Sequence, residues 1–192
     1  MTPGAKGAPA LVTDRLELWI PRADDEAQMH AIVSDPQTGR HLGPVSRADS
    51  ATRFQRNAGS WFLHGYGVFM LRLAGRPEVI GNCGVFHSYR GLGPDFDDLP
   101  EAGWILAADQ VSKGLASEAM HAALAWFDRE HGPRRIVCMI DPANLRSAAL
   151  ATKLGFAPTR LATMPGTGEA LQLYARPADC PAGSHPPITR QG

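Results

Sequence analysis

Cysteine is scarce in this chain: Cys83, Cys138 and Cys180 are odd in number, and no pair has Cys-x-x-Cys spacing. That spacing argues against a thiolate metal site. Cys83 and Cys138 sit inside apolar runs and read as small core residues, whereas Cys180 lies among Pro and Gly near the end. Net charge is missing too, since nineteen basic residues balance nineteen acidic ones. Nothing at the whole-chain level therefore points to nucleic acid or an anionic membrane as partner. No apolar run reaches the length of a membrane span, and residues 1–10 contain no apolar core of signal-peptide length. The expectation is a cytoplasmic protein without membrane or nucleic-acid contacts. Trp19, Trp61, Trp104 and Trp126 are not interleaved with basic residues, so they read as core or interface residues, not a base-stacking platform.

What is present suits one globular domain. With 192 residues, of which 44% are hydrophobic, the chain can bury a sizeable core. Residues 1–10 and 177–192 are rich in Pro, Gly and small polar residues and read as flexible ends, leaving a single domain over 11–176. Leu16–Ile20 reads as a first strand. Asp24 or Asp25 is placed to cap a helix running to about Val33, and Ser46 to about Leu63 reads as a second helix with Phe54, Ala58, Trp61 and Phe62 on its apolar face. Strands are expected at Val68–Leu73, Val79–Phe86 and Gly103–Leu106, with a Gly/Pro/Asp loop over residues 91–100. Gly114 to about Glu130 has the clearest helical period, with Leu115, Ala119, Ala122, Ala123, Trp126 and Phe127 on one side and Ser117, His121 and Asp128 on the other. A strand at Arg135–Ile140, a helix at Asn144–Leu154 closed by Gly155, and strands at Thr159–Thr163 and Ala170–Ala175 complete the chain. This order is neither a strict βαβ alternation nor all-β, and a mixed sheet with helices on both faces fits it.

The segment Ser112-Lys-Gly-Leu-Ala-Ser-Glu118 joins a strand to that amphipathic helix. The first amides of a helix lack intrahelical acceptors and carry partial positive charge. Gly114 and Ala116 allow an anion close to the backbone, and Lys113 adds a mobile cation. Chemically this is a place for a diphosphate, although an ordinary helix start has the same ingredients. Asn144 and Ser147 share one side of the next helix.

Taken in order, Glu101-Ala-Gly-Trp-Ile-Leu106, Ser112–Ala119, Asn144-x-x-Ser147 and Lys153-Leu-Gly-Phe156 resemble the GNAT superfamily of N-acetyltransferases. Thr13–Leu18 and Val79–Gly84 resemble the first and third strands of the branch that includes the ribosomal-protein N-terminal acetyltransferases, and the likeness covers roughly residues 11–176. It implies an α+β fold with a mixed, mostly antiparallel central sheet flanked by helices on both faces. It also implies acetyl-CoA as co-substrate, an amine acceptor and no metal. Dimers are common in that branch, so a homodimer is the state implied by analogy.

The resemblance further implies that Val111, Ser112, Lys113, Gly114, Leu115, Ala116 and Ser117 form the pyrophosphate loop. Asn144 stands beside the pantetheine arm, and Trp104, Ile105 and Leu106 form the strand along it, with Trp104 and Ile105 supplying an oxyanion-hole amide. Glu101 matches an acidic residue that serves as general base in many members; the alternative is an exposed strand-end glutamate. Ser147 is the candidate proton donor to the leaving thiolate; the alternative is a first-turn serine bonded to backbone. Two positions depart from the pattern. Val111 stands where many members carry Gln or Arg, with Gln110 one place early, and Ala151 stands where many carry an acidic-proton tyrosine.

The chemistry itself needs a neutral amine, a proton acceptor, an oxyanion donor and a proton for the thiolate. The acidic stretch Asp95-Phe-Asp-Asp98 would attract a cationic amine, or simply be a solvated loop. His87 is within reach of a cleft beside Glu101, and His121 lies on a polar helix face; both residue types are more often surface groups. The second function class is a CoA-binding domain without catalysis, and the third is transfer of a longer acyl group.

Overall fold

The computed structural model describes residues 7–43 and 45–178. Most of the two ends expected to be flexible, together with Cys180, lies outside the described residues. The elements run β1 (Leu11–Val12), β2 (Leu16–Trp19), α1 (Asp25–Ser34), α2 (Pro36–Gly39), α3 (Arg47–His64), β3 (Val68–Leu73), β4 (Val79–His87) and β5 (Pro100–Leu106). They continue through a 3-10 turn at Ala108–Gln110 to α4 (Leu115–His131), β6 (Ile136–Ile140), α5 (Leu145–Lys153), β7 (Ala157–Thr163) and β8 (Ala170–Arg176). One eight-stranded sheet is ordered β1-β2-β3-β4-β5-β6-β8-β7, and only the β5–β6 pair is parallel. This is the mixed, mostly antiparallel sheet expected from the sequence.

The differences have local causes. β1 is two residues long and pairs with β2, too short for any periodic signal. The strand expected at Gly103–Leu106 starts at Pro100, because Pro100–Leu106 pairs in register along β4. Asp24 occupies the N-cap of α1 without a side-chain cap bond. Asp25, the other capping candidate, is 1% exposed, accepts from the Arg22 backbone N–H at 2.9 Å and pairs with Arg72. The chain then turns into α2, where Asp35 accepts from the amides of Gln37 and Thr38 and Pro36 supplies the pre-set first turn.

Packing divides the sheet's surroundings in three. On one face α4 packs Leu115, Ala119, Ala123 and Phe127 onto Leu16, Leu18, Phe69, Cys83 and Ala102. The expected apolar side of α4 is thus its buried side. On the other face Met29, Val33 and the partly buried Phe54 cover Val68, Met70 and Phe86. Further along that face the 91–99 loop lays Leu92 and Phe96 over Val137 and Leu173. Trp61 of α3 reaches the first cluster, meets Phe69 edge-on at 4.8 Å and donates its indole N–H to Val68 O at 2.8 Å. Phe62, expected on the same apolar side, is 90% exposed. It sits one position past Trp61, which turns it about 100° around the helix toward solvent.

The contrast between two phenylalanines tests this packing. Phe127 is fully buried, so Phe127→Ala is expected to destabilise the fold by about 3–5 kcal/mol, as core truncations of this kind do. Phe62→Ala should stay within about 0.5 kcal/mol of the parent. Urea unfolding of both variants checks the assignment; comparable losses would mean that α3 is wrongly oriented.

Candidate active site

The site begins with two strands that part. The parallel ladder of β5 and β6 has a single register pair, Glu101↔Val137, whereas β4 stays in register with β5 from His87↔Pro100 to Gly81↔Leu106. The Ala107 N–H donates to Ile80 O at 2.9 Å, and these two residues continue that antiparallel register. In an antiparallel ladder, backbone groups alternate between facing the partner and facing away. Gly103 and Ile105 therefore spend their amides on β4, and Trp104 and Leu106 aim theirs at the opening left by β6. Of the two residues expected to offer an oxyanion-hole amide, Trp104 aims its amide at the opening and Ile105 aims its amide at β4.

The opening is a cavity of about 690 Å³. Trp104, Ile105 and Leu106 form one wall; Asn144 and Ser147 of the α5 start form another. Val111, Ser112, Gly114, Leu115, Ala116 and Ser117 close the end at which α4 begins. Of the candidate cofactor residues only Lys113 is not part of the lining; its ammonium donates to Gln110 Oε1 at 3.2 Å. Gly114 is the α4 N-cap, at φ 77°, and no side chain caps the helix. Ser112 is also left-handed, at φ 66°, an uncommon conformation for a non-glycine residue. These turns present the first α4 amides to the cavity unblocked.

A latch far away in sequence fixes this loop. Glu118 accepts from Thr13 Oγ1 at 2.6 Å and from the Arg15 amide at 3.0 Å, and pairs with the Arg15 guanidinium at 2.6 Å. Arg15 also donates to Lys113 O at 2.9 Å. Burial works to raise the Glu118 carboxyl pKa, but the Thr13 and Arg15 donors outweigh it and hold the carboxyl below its usual value. The first-turn glutamate is therefore more than a helix-dipole partner: it ties the loop to β2.

A third wall comes from the α1–α3 connection, where Gln37, Thr38, Arg40, His41 and Leu42 line the cavity. No sequence motif marks this stretch. His41 Nδ1 lies 2.7 Å from Asp141 Oδ2, which joins the connection to the end of β6. Thr38 Oγ1 is buried without a hydrogen-bond partner among the described residues.

Ser147 and Asn144 meet at the mouth. The Asn144 side chain accepts from the Ser147 amide at 3.1 Å and so caps α5. The Trp104 indole N–H points to Ser147 Oγ at 3.3 Å. The serine hydroxyl is thus an acceptor from Trp104, and its own proton is available in another direction. Ala151, where a tyrosine was the alternative acid, is fully buried in the core and absent from the lining.

Glu101 has neither of its two expected environments unmodified. It is 3% exposed, far from an exposed strand end, and does not line the cavity. Arg90 donates to both of its oxygens, Nε to Oε2 at 2.9 Å and Nη2 to Oε1 at 2.8 Å, and Ser88 Oγ also donates to Oε2. The acidic loop is internally engaged as well. Asp97 accepts from the amides of Arg90, Gly91 and Gly93. Asp95 pairs with Arg160 at 2.9 Å, and that hydrogen bond holds its carboxyl below the usual range. Asp98 lies 2.9 Å from His87 Nε2, and the His87 ring stacks on His64 at 4.2 Å. His121 lies 2.7 Å from Ser117 O, on α4. Cys83 and Cys138 are buried free thiols whose pKa is raised by burial, and no metal-binding cluster occurs among the described residues. No helix among them is long and apolar enough to cross a membrane.

Comparison with known proteins agrees with this geometry. Residues 15–157 match the acetyltransferase (GNAT) domain. A solved GnaT-family acetyltransferase from Bordetella pertussis is 33% identical, superposes with a TM-score of 0.77, and covers 86% of this chain and 98% of its own. The uncharacterised protein YkkB of Bacillus subtilis (strain 168) is 26% identical over 76% of this chain and 83% of its own. The ribosomal L7/L12 α-N-protein acetyltransferase RimL, solved with coenzyme A, shares the fold at 19% identity and a TM-score of 0.63, over 86% of this chain and 95% of its own. A chain matched over so much of its length, with the parted strands and open helix start described above, belongs to the GNAT acetyltransferase family.

Proposed function

We propose that the protein moves the acetyl group of acetyl-CoA to a primary amine by direct attack on the thioester. The observation that carries this reading is the shared cavity: an uncapped α4 start, the amides of Trp104 and Leu106, and the Ser147 hydroxyl all face it. The donor residues fit a CoA thioester chemically. The amides of Gly114–Ser117 would hold the diphosphate without requiring a side chain at Val111. The β5 edge from Trp104 to Leu106 would pair with the amide-containing pantetheine arm as a missing strand would. An amide of that edge would polarise the thioester carbonyl and stabilise the tetrahedral oxyanion. As the C–S bond breaks, Ser147 would give its proton to the sulfur.

For Glu101 the proposal departs from the general-base expectation. Both Glu101 oxygens are already held by Arg90 and Ser88 and the residue does not line the cavity, so it is not placed to reach the amine. The acceptor amine then enters as the free base and, once bonded to the acyl carbon, gives one of its two N–H protons to water, while Glu101 holds Arg90 in place. The enzyme reading rests on the available Ser147 proton; binding of acetyl-CoA with no turnover on any amine would favour the non-catalytic alternative.

Three substitutions test these roles, each read by free-thiol release with acetyl-CoA and by the acetyl-CoA-dependent rise in Tm. Gly114→Val forces a β-branched residue to φ 77°, so acetyl-CoA affinity should fall by roughly tenfold or more, with the fold retained at a ligand-free Tm lowered by several degrees. Unaltered affinity would remove the loop from the diphosphate site. Ser147→Ala should lower kcat by about 10²-fold or more with little change in acetyl-CoA KM, in line with loss of a general acid. A change in KM alone would make the serine a binding group. Glu101→Gln should leave the shape of the kcat/KM–pH profile in place and act mainly through the acceptor KM; a change in the acid-side limb together with a loss of about two to four orders in kcat would restore Glu101 as the base.

A further inference from the structure

Beside Glu101, next to the cavity lining, the structure gathers more positive charge than it neutralises. Arg53, Arg56, Asn57 and Ser60 stand at spacings of three and four along α3 and so share one side of that helix. Ser60 fixes where this side faces: its hydroxyl donates to Tyr66 O at 2.7 Å and accepts the His87 amide at 3.1 Å. The side therefore lies against the C-terminal end of β4, where the chain continues into Ser88 and Arg90 and their shared partner Glu101. Glu101 is three residues along β5 from Trp104, roughly 10 Å at the rise of a strand.

Three guanidiniums thus gather around one carboxylate. Arg90 is matched by Glu101, but Arg53 and Arg56 have no hydrogen bond or ion pair with any described residue. The other carboxylate on their helix, Asp49, accepts the Ser46 hydroxyl at 2.6 Å at the α3 start. Desolvation first, then repulsion from Arg90, lowers the pKa of both arginines, although by surface accessibility Arg53 is half-buried and Arg56 exposed to solvent. Neither Asp49 nor Glu101 cancels this for Arg53, nor Glu101 for Arg56. A separate observation points the same way. Asn57 is 7% exposed and its Oδ1 has no donor among the described residues. An unfilled acceptor beside unfilled guanidiniums suits a ligand that carries both N–H groups and an anion. The carboxylates that would have drawn a polycation here, Asp95, Asp97 and Asp98, are engaged with Arg160, loop amides and His87.

We infer that the acceptor is an amine bearing an oxyanion, a carboxylate or a phosphate, which Arg53 and Arg56 grip from α3. This rests on the acetyl-transfer reading above and narrows it, since it sets anionic amines against neutral amines and polyamines. Planar guanidiniums suit either oxyanion through paired N–H donors, and lysines would not give the same geometry.

The test uses four small primary amines that differ in the charge they carry: glycine, O-phosphoethanolamine, ethanolamine and ethylenediamine. Each is read in two ways on the whole chain: as acceptor in thiol release, and as a ligand raising Tm with and without CoA. Glycine or O-phosphoethanolamine should exceed ethanolamine by roughly tenfold or more in kcat/KM or in apparent affinity, with ethylenediamine weakest. Which anion leads separates the carboxylate from the phosphate source. The double variant Arg53→Gln/Arg56→Gln should erase that preference while its Tm rise with acetyl-CoA stays at the parental value. Wild-type protein with no anion preference in either readout, or a double variant that keeps it, overturns the inference. Failure of acetyl-CoA to raise Tm would instead strike the acetyl-transfer reading, and anion binding without CoA would still be measured.

Discussion

Everything in this site depends on a sheet that stops being a sheet. β5 and β6 run parallel and meet at one residue pair, Glu101↔Val137, after which they separate. A strand edge facing a protein interior must find partners for its N–H and C=O groups, because each one left unmet costs about 1–3 kcal/mol. At Trp104 and Leu106 those groups face a cavity of about 690 Å³ instead of a neighbouring strand. A ligand with alternating amides, lying in that gap, restores what the divergence takes away.

The same divergence separates two kinds of chemistry. On the side of α4, small residues and left-handed turns at Ser112 and Gly114 make a backbone surface for an anion. That surface is fixed by the Glu118–Arg15–Thr13 latch, not by charge inside the cavity. On the side of α3, outside the cavity lining, the groups are guanidiniums near a buried carboxylate. The first side needs no particular residue beyond small ones, which is why Val111 is compatible with it. The second side depends on particular residues, and under the inference drawn above it is the side that would tell acceptors apart.

Several parts of this were legible from local pattern. The α4 face showed itself through a 3.6-residue period, and Leu115, Ala119, Ala123 and Phe127 are buried as that period requires. The loop residues 111–117 and the pair Asn144 and Ser147 were visible because their chemistry is contiguous or one helical turn apart. By contrast, the cavity wall at Gln37–Leu42 has no local signature, since it is defined only by where the α1–α3 connection lands. The direction of each amide is not local either: Trp104 and Ile105 look equivalent in sequence, and only their register with β4 turns Ile105 toward that strand.

The sequence by itself determined the longer helices and strands, the glycine-bearing loop and the family likeness, because each depends on interactions within a few residues or on a spaced motif. Tertiary structure decided the meaning of Glu101, of the acidic loop and of the α3 arginines. Charges act through space, over distances unrelated to chain separation, so the Arg90 fork that occupies Glu101, the Arg160 that occupies Asp95 and the grouping of Arg53 with Arg56 and Arg90 exist only once the fold has placed them.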